Sequence, residues 1–117
     1  MFVERLEHIA QRIEGTQALS LVAKDGIPVE SFSADPSIDL ELLAAELMSQ
    51  VRAVSQNHQD LAFGNVRHFA VTTDRLTLMV GRLTEDYYLL LVMNASSNAG
   101  RARFELRRAL LMLEDDL

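Results

Sequence analysis

The residues whose types could support catalysis or metal binding are few in this sequence, and their spacing suits neither. The three histidines, His8, His58 and His68, fall in separate predicted elements, and none has another histidine at the spacing of a metal-ligand pair. Ser96 and Ser97 lack the Gly-x-Ser-x-Gly turn that presents a nucleophilic serine, and we expect them to cap the helix that follows. No Gly-rich run ends in Gly-Lys-Ser/Thr, the pattern that binds nucleotide phosphates. We therefore predict no catalytic residue, no metal site and no cofactor.

Two other features allow a functional and a structural interpretation, and the structural one is favoured for each. Four arginines on the last predicted helix could bind an anion: Arg101, Arg103, Arg107 and Arg108. In an acidic protein such a cluster is usually a solvated helix face, and we expect internal ion pairs such as Glu105–Arg108. Gly81, inside a predicted strand, indicates a bulge or a close approach of backbone rather than a ligand site.

The composition predicts a single globular domain over residues 1–117, with 49% hydrophobic and 24% charged residues. The lack of cysteine excludes disulfide and thiol chemistry and favours a cytoplasmic location. The first residues mix acids with apolar side chains, unlike a signal peptide, and no apolar run approaches the roughly 20 residues of a membrane span, so we expect no membrane insertion. The net charge of -6 argues against nucleic-acid binding, which depends on neutralising phosphates. Protein partners remain the favoured class.

Apolar spacing and turn residues predict three helices and five strands. An Asp25-Gly26 turn joins the first two strands as a hairpin, and Pro28 places the second strand at a sheet edge. Ser37 is the expected cap of the long middle helix. The predicted segments are a helix from residue 2 to about 15, strands at 18–23 and 27–32, a helix at 38–58, strands at 66–73, 76–83 and 87–93, and a helix at 99–113.

The strand at 87–93 is apolar without alternation, so both of its faces must be covered. Short connections between neighbouring strands favour antiparallel pairing. The predicted fold is an α/β sandwich of order α-β-β-α-β-β-β-α, with a central antiparallel five-stranded sheet and helices on both faces.

The middle helix at 38–58 has two apolar faces, although a surface helix of a monomer needs only one. The stripe expected to pack on the sheet comprises Leu40, Leu43, Ala44, Leu47, Val51 and Val54. The opposite stripe is small or apolar and comprises Ile38, Leu42, Ala45, Ser49 and Ala53. Its small residues favour close approach of a partner helix over two alternatives, cover by another part of the chain or simple exposure. The polar residues that an outside partner could contact are Glu41, Glu46, Arg52 and Gln56.

Two stretches, together with the element order, resemble the Roadblock/LC7 family across nearly the whole chain. Residues 15–29, Gly-Thr-Gln-Ala-Leu-Ser-Leu-Val-Ala-Lys-Asp-Gly-Ile-Pro-Val, resemble the family's opening hairpin, in which a glycine precedes an apolar strand that runs into an Asp-Gly turn. Residues 98–109, Asn-Ala-Gly-Arg-Ala-Arg-Phe-Glu-Leu-Arg-Arg-Ala, are similar to its final helix, with Asn and Gly at the start and a Leu-Arg-Arg run inside.

The resemblance implies a homodimer, or a heterodimer with a paralogue, that pairs through the long middle helix and the third strand. The implied interface residues are Ile38, Leu42, Ala45, Ser49, Ala53, Val66, His68 and Ala70. Family members include bacterial GTPase-activating proteins that reshape the site of a small Ras-like GTPase without donating an arginine, so a bacterial, non-catalytic GTPase regulator is expected. A scaffold or dynein-light-chain-type subunit without effect on GTP hydrolysis is the alternative. A third possibility, a ligand-sensing domain, would need an internal pocket where the bulky apolar residues predict a filled core.

Overall fold

Five strands form one antiparallel sheet with helices on both faces, in a computed structural model of the chain that describes residues 2–62 and 64–116. The elements are α1 (Phe2–Arg12), β1 (Thr16–Ala23), β2 (Pro28–Ser33), α2 (Leu40–Leu61), β3 (His68–Thr72), β4 (Leu76–Arg82), β5 (Tyr87–Asn94) and α3 (Ala99–Leu113), followed by a 3-10 turn at Glu114–Asp116. The strand order across the sheet is β2-β1-β5-β4-β3, and every neighbouring pair is antiparallel. The predicted fold class is confirmed.

The first two strands form the hairpin that the Asp25-Gly26 pair predicts. The N–H of Gly26 donates to the carbonyl of Ala23 (2.8 Å). Gly26 has a φ of +95°, a backbone conformation that residues with a Cβ atom rarely adopt. The turn lies against α2, because a Cβ atom on Gly26 would be 3.2 Å from the Cα of Ala45. Pro28 begins β2 at the edge of the sheet, as predicted.

The fifth strand is buried on both faces, as its continuous apolar run predicts. Leu89, Leu91 and Met93 pack with α1 and α3, whereas Leu90 and Val92 pack with α2. The alternation of side chains along the strand thus supplies both halves of the core. One helical layer holds α1 over β1 and β2 and α3 over β4, and α2 forms the opposite layer.

One face of α2 packs on the sheet through Ala44, Leu47 and Val51, as predicted. Met48 belongs to the same core cluster and is only 2% exposed, although the predicted stripe omits it. Met48 follows Ala44 by four residues and precedes Val51 by three, so helical spacing does place it on this face. The buried face is therefore wider than predicted.

Asp39 caps α2, and the prediction of Ser37 was wrong. The Oδ1 of Asp39 accepts the N–H of Leu42 (3.1 Å), and its carbonyl accepts the N–H of Leu43 (3.0 Å). The N–H and hydroxyl of Ser37 both donate to Oδ1 of Asp35, at 2.9 and 2.6 Å, and these two bonds lower the pKa of Asp35. Ser37 is thus committed to the preceding turn.

Asn98 caps α3, in place of the expected Ser96 and Ser97. Its side-chain oxygen accepts the N–H of Arg101 (2.9 Å). Ser97 instead donates its N–H to the carbonyl of Asn94 (3.1 Å), within the loop before the helix.

A buried acid joins α1 to α3. Glu105 is 4% exposed and lies 3.6 Å from Nε of Arg12 and 3.5 Å from Nε of Arg101. The expected Glu105–Arg108 pair was wrong, because Glu105 faces α1 whereas Arg108 is exposed.

Gly81 marks a close approach, as predicted, and no bulge. It pairs in regular register with Leu89 on β5 and with His68 on β3. A Cβ atom on Gly81 would be 2.7 Å from a side-chain methyl carbon of Leu110, so glycine leaves room for the present position of the Leu110 side chain against the sheet.

Candidate protein-interaction site

The described residues form no recognisable chemical site. Within residues 2–62 and 64–116, no group of three or more His, Cys, Asp or Glu side chains is placed to hold a metal ion. His8 is exposed on α1 and His68 is half-buried on β3, whereas the side chain of His58 lies outside the described part of the chain. No helix in the described ranges is long and apolar enough to cross a membrane.

The outward face of α2 carries the small-residue stripe that the sequence predicts. Leu42 is 59% exposed, and Ala45, Ser49 and Ala53 are also exposed. The steps of three and four residues between them place all of these side chains on one face of the helix. Gln56 follows Ala53 by three residues, so it extends this face. A methyl and hydroxyl surface of this kind lets another backbone approach closely.

The charged candidates on α2 are also solvent-exposed. Glu41, Glu46 and Arg52 border the small-residue face. Arg52 is anchored, because its Nη1 donates to the carbonyl of Lys24 (2.9 Å) in the β1–β2 turn. Beside it, a surface groove of about 770 Å³ runs between α2 and the sheet, and Tyr88 contributes to its lining.

The two edges of the sheet differ in their capacity to pair. At the β2 edge, Pro28 lacks an N–H, and the register shifts between Leu21 and Val22 of the adjacent strand. The β3 edge, His-Phe-Ala-Val-Thr, has no proline and a regular register with β4. It therefore offers the more open set of backbone groups for a further strand.

The remaining interface candidates lie on β3 or just before α2 and β3. Ala70 is exposed on β3, and His68 is half-buried two residues before it. Ile38 precedes α2 and Val66 precedes β3, and both are half-buried against the core cluster under α2. The assignment of these residues to an interface stays a prediction.

A second groove, of about 750 Å³, lies on the opposite face of the sheet between β3, β4 and α3. Arg103 and Arg107 of the predicted basic cluster line it together with Arg67 and Arg82, which belong to no motif in the sequence. His68 also lines it, and burial, with the Arg103 charge as a smaller cause, lowers the pKa of His68. Arg67 and Arg82 are distant from α3 in sequence, so no local spacing joins them to it.

No family model matches the sequence, and no curated protein sequence matches it. Solved structures do match. A Roadblock/LC7 domain from Streptomyces avermitilis aligns with a TM-score of 0.83 at 18% identity, over 97% of this chain and 94% of that chain. MglC from Myxococcus xanthus aligns with a TM-score of 0.73 at 28% identity, over 99% and 98%. The gliding protein MglB from Thermus thermophilus aligns with a TM-score of 0.85 at 20% identity, over 97% and 85%.

Proposed function

We propose, from the premise that this chain is a Roadblock/LC7 domain by its fold, that it is a non-catalytic homodimer that binds and regulates a small Ras-like GTPase. The observation that carries the proposal is the exposed small-residue face of α2, with Leu42 at 59% exposure. An isolated Leu on a surface is ordinary, but one that heads a stripe of Ala and Ser is suited to helix–helix contact. We place the protein in the bacterial cytoplasm, since the matched structures come from bacteria and the chain has no cysteine.

Self-association is supported by two features that one twofold axis could use together. The α2 face offers a dry, close contact, and the β3 edge offers unpaired backbone groups. In the proposed dimer the α2 faces of two copies pack together through Leu42, Ala45, Ser49 and Ala53, while the two β3 edges meet around Ala70. Ile38, Val66 and His68 border this contact.

The GTPase would then contact what the dimer leaves exposed. Glu41, Glu46 and Arg52 lie on the border of the paired face, and Gln56 lies near its end. Arg52 is held by the carbonyl of Lys24, which suits a positioned contact residue more than an arginine that reaches into another protein's active site. Regulation would accordingly act by fixing the GTPase's own catalytic groups.

The proposal is tested by recovering a GTPase and measuring its hydrolysis rate. Purified chain is immobilised and exposed to lysate of the source organism, and any small GTPase recovered is purified and assayed for single-turnover GTP hydrolysis with and without the chain. Faster hydrolysis is the expected result. Binding without faster hydrolysis would support the scaffold alternative, and recovery of no GTPase would contradict the proposal.

A matched pair of variants locates the contact. Glu46→Lys changes the charge beside the paired face of α2, whereas Glu7→Lys makes the same change at an exposed position of α1, in the other helical layer. We expect Glu46→Lys to weaken GTPase binding and Glu7→Lys to leave it unchanged. Equal effects of the two variants would show that net charge, rather than this surface, governs binding.

A further inference from the structure

The groove between β3, β4 and α3 exists because α3 packs on β4 while β3 projects beyond it. Gly81 allows the Leu110 side chain to lie close above β4. The neighbouring strand β3 receives no such cover, and Ala70 on it is exposed. The result is an open trough of about 750 Å³ on the face of the sheet opposite α2.

Basic side chains border this groove on two sides. The N–H of Arg82 donates to the carbonyl of Arg67 (2.9 Å), which brings those two residues together at one end of β3 and β4. Arg103 and Arg107 are one helical turn apart on α3 and border the other side. The groove thus gathers Arg67, Arg82, Arg103 and Arg107 in a protein whose net charge is -6.

None of these cations has a counter-ion among the side chains that the structure describes. Within that part of the chain, no ion pair within 4 Å involves Arg67, Arg82, Arg103 or Arg107, whereas Arg101 and Arg12 are paired with Glu105. Glu85 and Glu114 also line the groove. Unpaired guanidinium groups are suited to carboxylates, which they bind through two parallel N–H donors.

The groove also has apolar lining residues, so it favours an anionic ligand that carries apolar groups as well. Leu83, Leu106 and Leu110 lie along the groove, and Leu111 at its border is 68% exposed. A nucleic acid is disfavoured, because the lining has no Phe, Tyr or Trp side chain for base stacking and the protein is acidic overall. A peptide that carries both carboxylates and apolar side chains satisfies both parts of the surface.

We propose that this groove binds an acidic, partly apolar peptide segment of a partner protein. The groove lies on the opposite face of the sheet from α2. Arg82 and Glu85 also line the groove beside Arg52, whereas Arg103 and Arg107 line only this one, so α3 distinguishes it from the proposed GTPase contact. The proposed dimer could then hold a GTPase on one face and a second protein on the other.

The test selects peptides from a random 12-residue display library on the full-length chain. We expect enriched peptides to carry a net negative charge together with apolar residues, and to bind more weakly as salt is raised. Titration of a synthetic enriched peptide into ¹⁵N-labelled protein should shift the amide resonances of β3, β4 and the second half of α3.

Two neighbouring arginines provide the matched control. Arg107 lines the groove, whereas Arg108 is exposed on a different side of α3. Arg107→Glu should weaken the peptide's affinity about tenfold or more, the scale of lost charge-assisted hydrogen bonds, while Arg108→Glu should leave it within about twofold. Both positions are exposed, and unchanged thermal unfolding of the two variants would show that folding is preserved.

A second pair tests the apolar part of the site. Leu111→Ser should weaken peptide binding, and Met112→Ser, also on the exposed side of α3 but outside the groove, should not.

Three results would overturn the proposal: enrichment of neutral or basic peptides, failure to enrich any peptide, or equal binding by Arg107→Glu and Arg108→Glu. Binding of a 12-nucleotide single strand in place of acidic peptides would overturn it as well. GTPase binding by Arg107→Glu is expected to be normal, so failure here is distinct from failure of the proposed GTPase contact.

Discussion

Gly26 and Gly64 adopt the same backbone conformation in different surroundings. Their φ angles are +95° and +94°, a region where a side chain is strained. A Cβ atom on Gly26 would also lie 3.2 Å from the Cα of Ala45, whereas one on Gly64 would meet no described atom within 4 Å apart from its chain neighbours. The sequence predicts the turn at Gly26, but its contact with α2 depends on the tertiary fold.

Alanine substitution separates these two causes. We expect Gly64→Ala to cost about 1 kcal/mol, at the lower end of the range for a strained backbone, and Gly26→Ala to cost about 2–3 kcal/mol because α2 must also shift. Urea unfolding of the two variants measures the difference. Equal losses of stability would mean that the turn and α2 are not in close contact.

His68 makes stability depend on pH in a predictable direction. Burial, and to a smaller extent the Arg103 charge, lowers the pKa of His68 in the folded chain below its ordinary value of 6.5. Between these two pKa values the unfolded chain binds more protons, so the stabilisation is complete above pH 6.5 and is lost as the pH falls through the lowered value.

The matching variant is His68→Gln, which keeps a polar side chain without this titration. We expect the free energy of unfolding of the wild type to fall more steeply than that of His68→Gln as the pH is lowered from 6.5. Parallel curves over this range would contradict the lowered pKa.

The two faces of α2 differ in what they contribute to stability. Leu47 is 6% exposed within the core, so Leu47→Ala should cost about 2–5 kcal/mol at any protein concentration. Leu42 lies on the face assigned to the dimer, and the cost of Leu42→Ala should fall on dilution to within about 0.5 kcal/mol as the chain becomes monomeric. Denaturant unfolding over a range of protein concentrations measures the free-energy loss of both variants. A large and concentration-independent loss for Leu42→Ala would place Leu42 in the core of a single chain.

Periodicity and turn chemistry predict the order and type of the three α-helices and five strands, because these signals are local. The 3-10 turn at Glu114–Asp116 was not predicted. The residue that caps the start of each helix is harder to predict from the sequence. Ser37 and Asp39 are both good capping residues, and the choice depends on Asp35, which accepts both donors of Ser37. The same competition within a loop assigns the cap of α3 to Asn98.

The two candidate surfaces also differ in whether the sequence predicts them. The α2 face could be predicted because its residues repeat every three or four positions along one helix. The basic groove could not, since Arg67 and Arg82 meet Arg103 and Arg107 only when the sheet and α3 pack together. Sequence patterns describe what one element carries, and the fold determines which elements share a site.

At the scale of the whole molecule, the proposed dimer predicts a change of mass. Ala45→Arg places a long charged side chain in the centre of the small-residue face, and the sedimentation mass should fall from that of two chains to that of one. Gln11→Arg adds the same side chain at an exposed position of α1 and should not alter the mass. A dimer that persists in Ala45→Arg would exclude this interface.

The β2 edge of the sheet affects how many copies of the chain can join by strand pairing. If two chains join at β3, the outer strands of the merged sheet are both β2, where Pro28 offers no N–H and the neighbouring register is shifted. A third copy would meet a proline at the start of that edge. We therefore expect growth by strand addition to favour pairs over longer assemblies, which would protect an abundant protein from fibril formation.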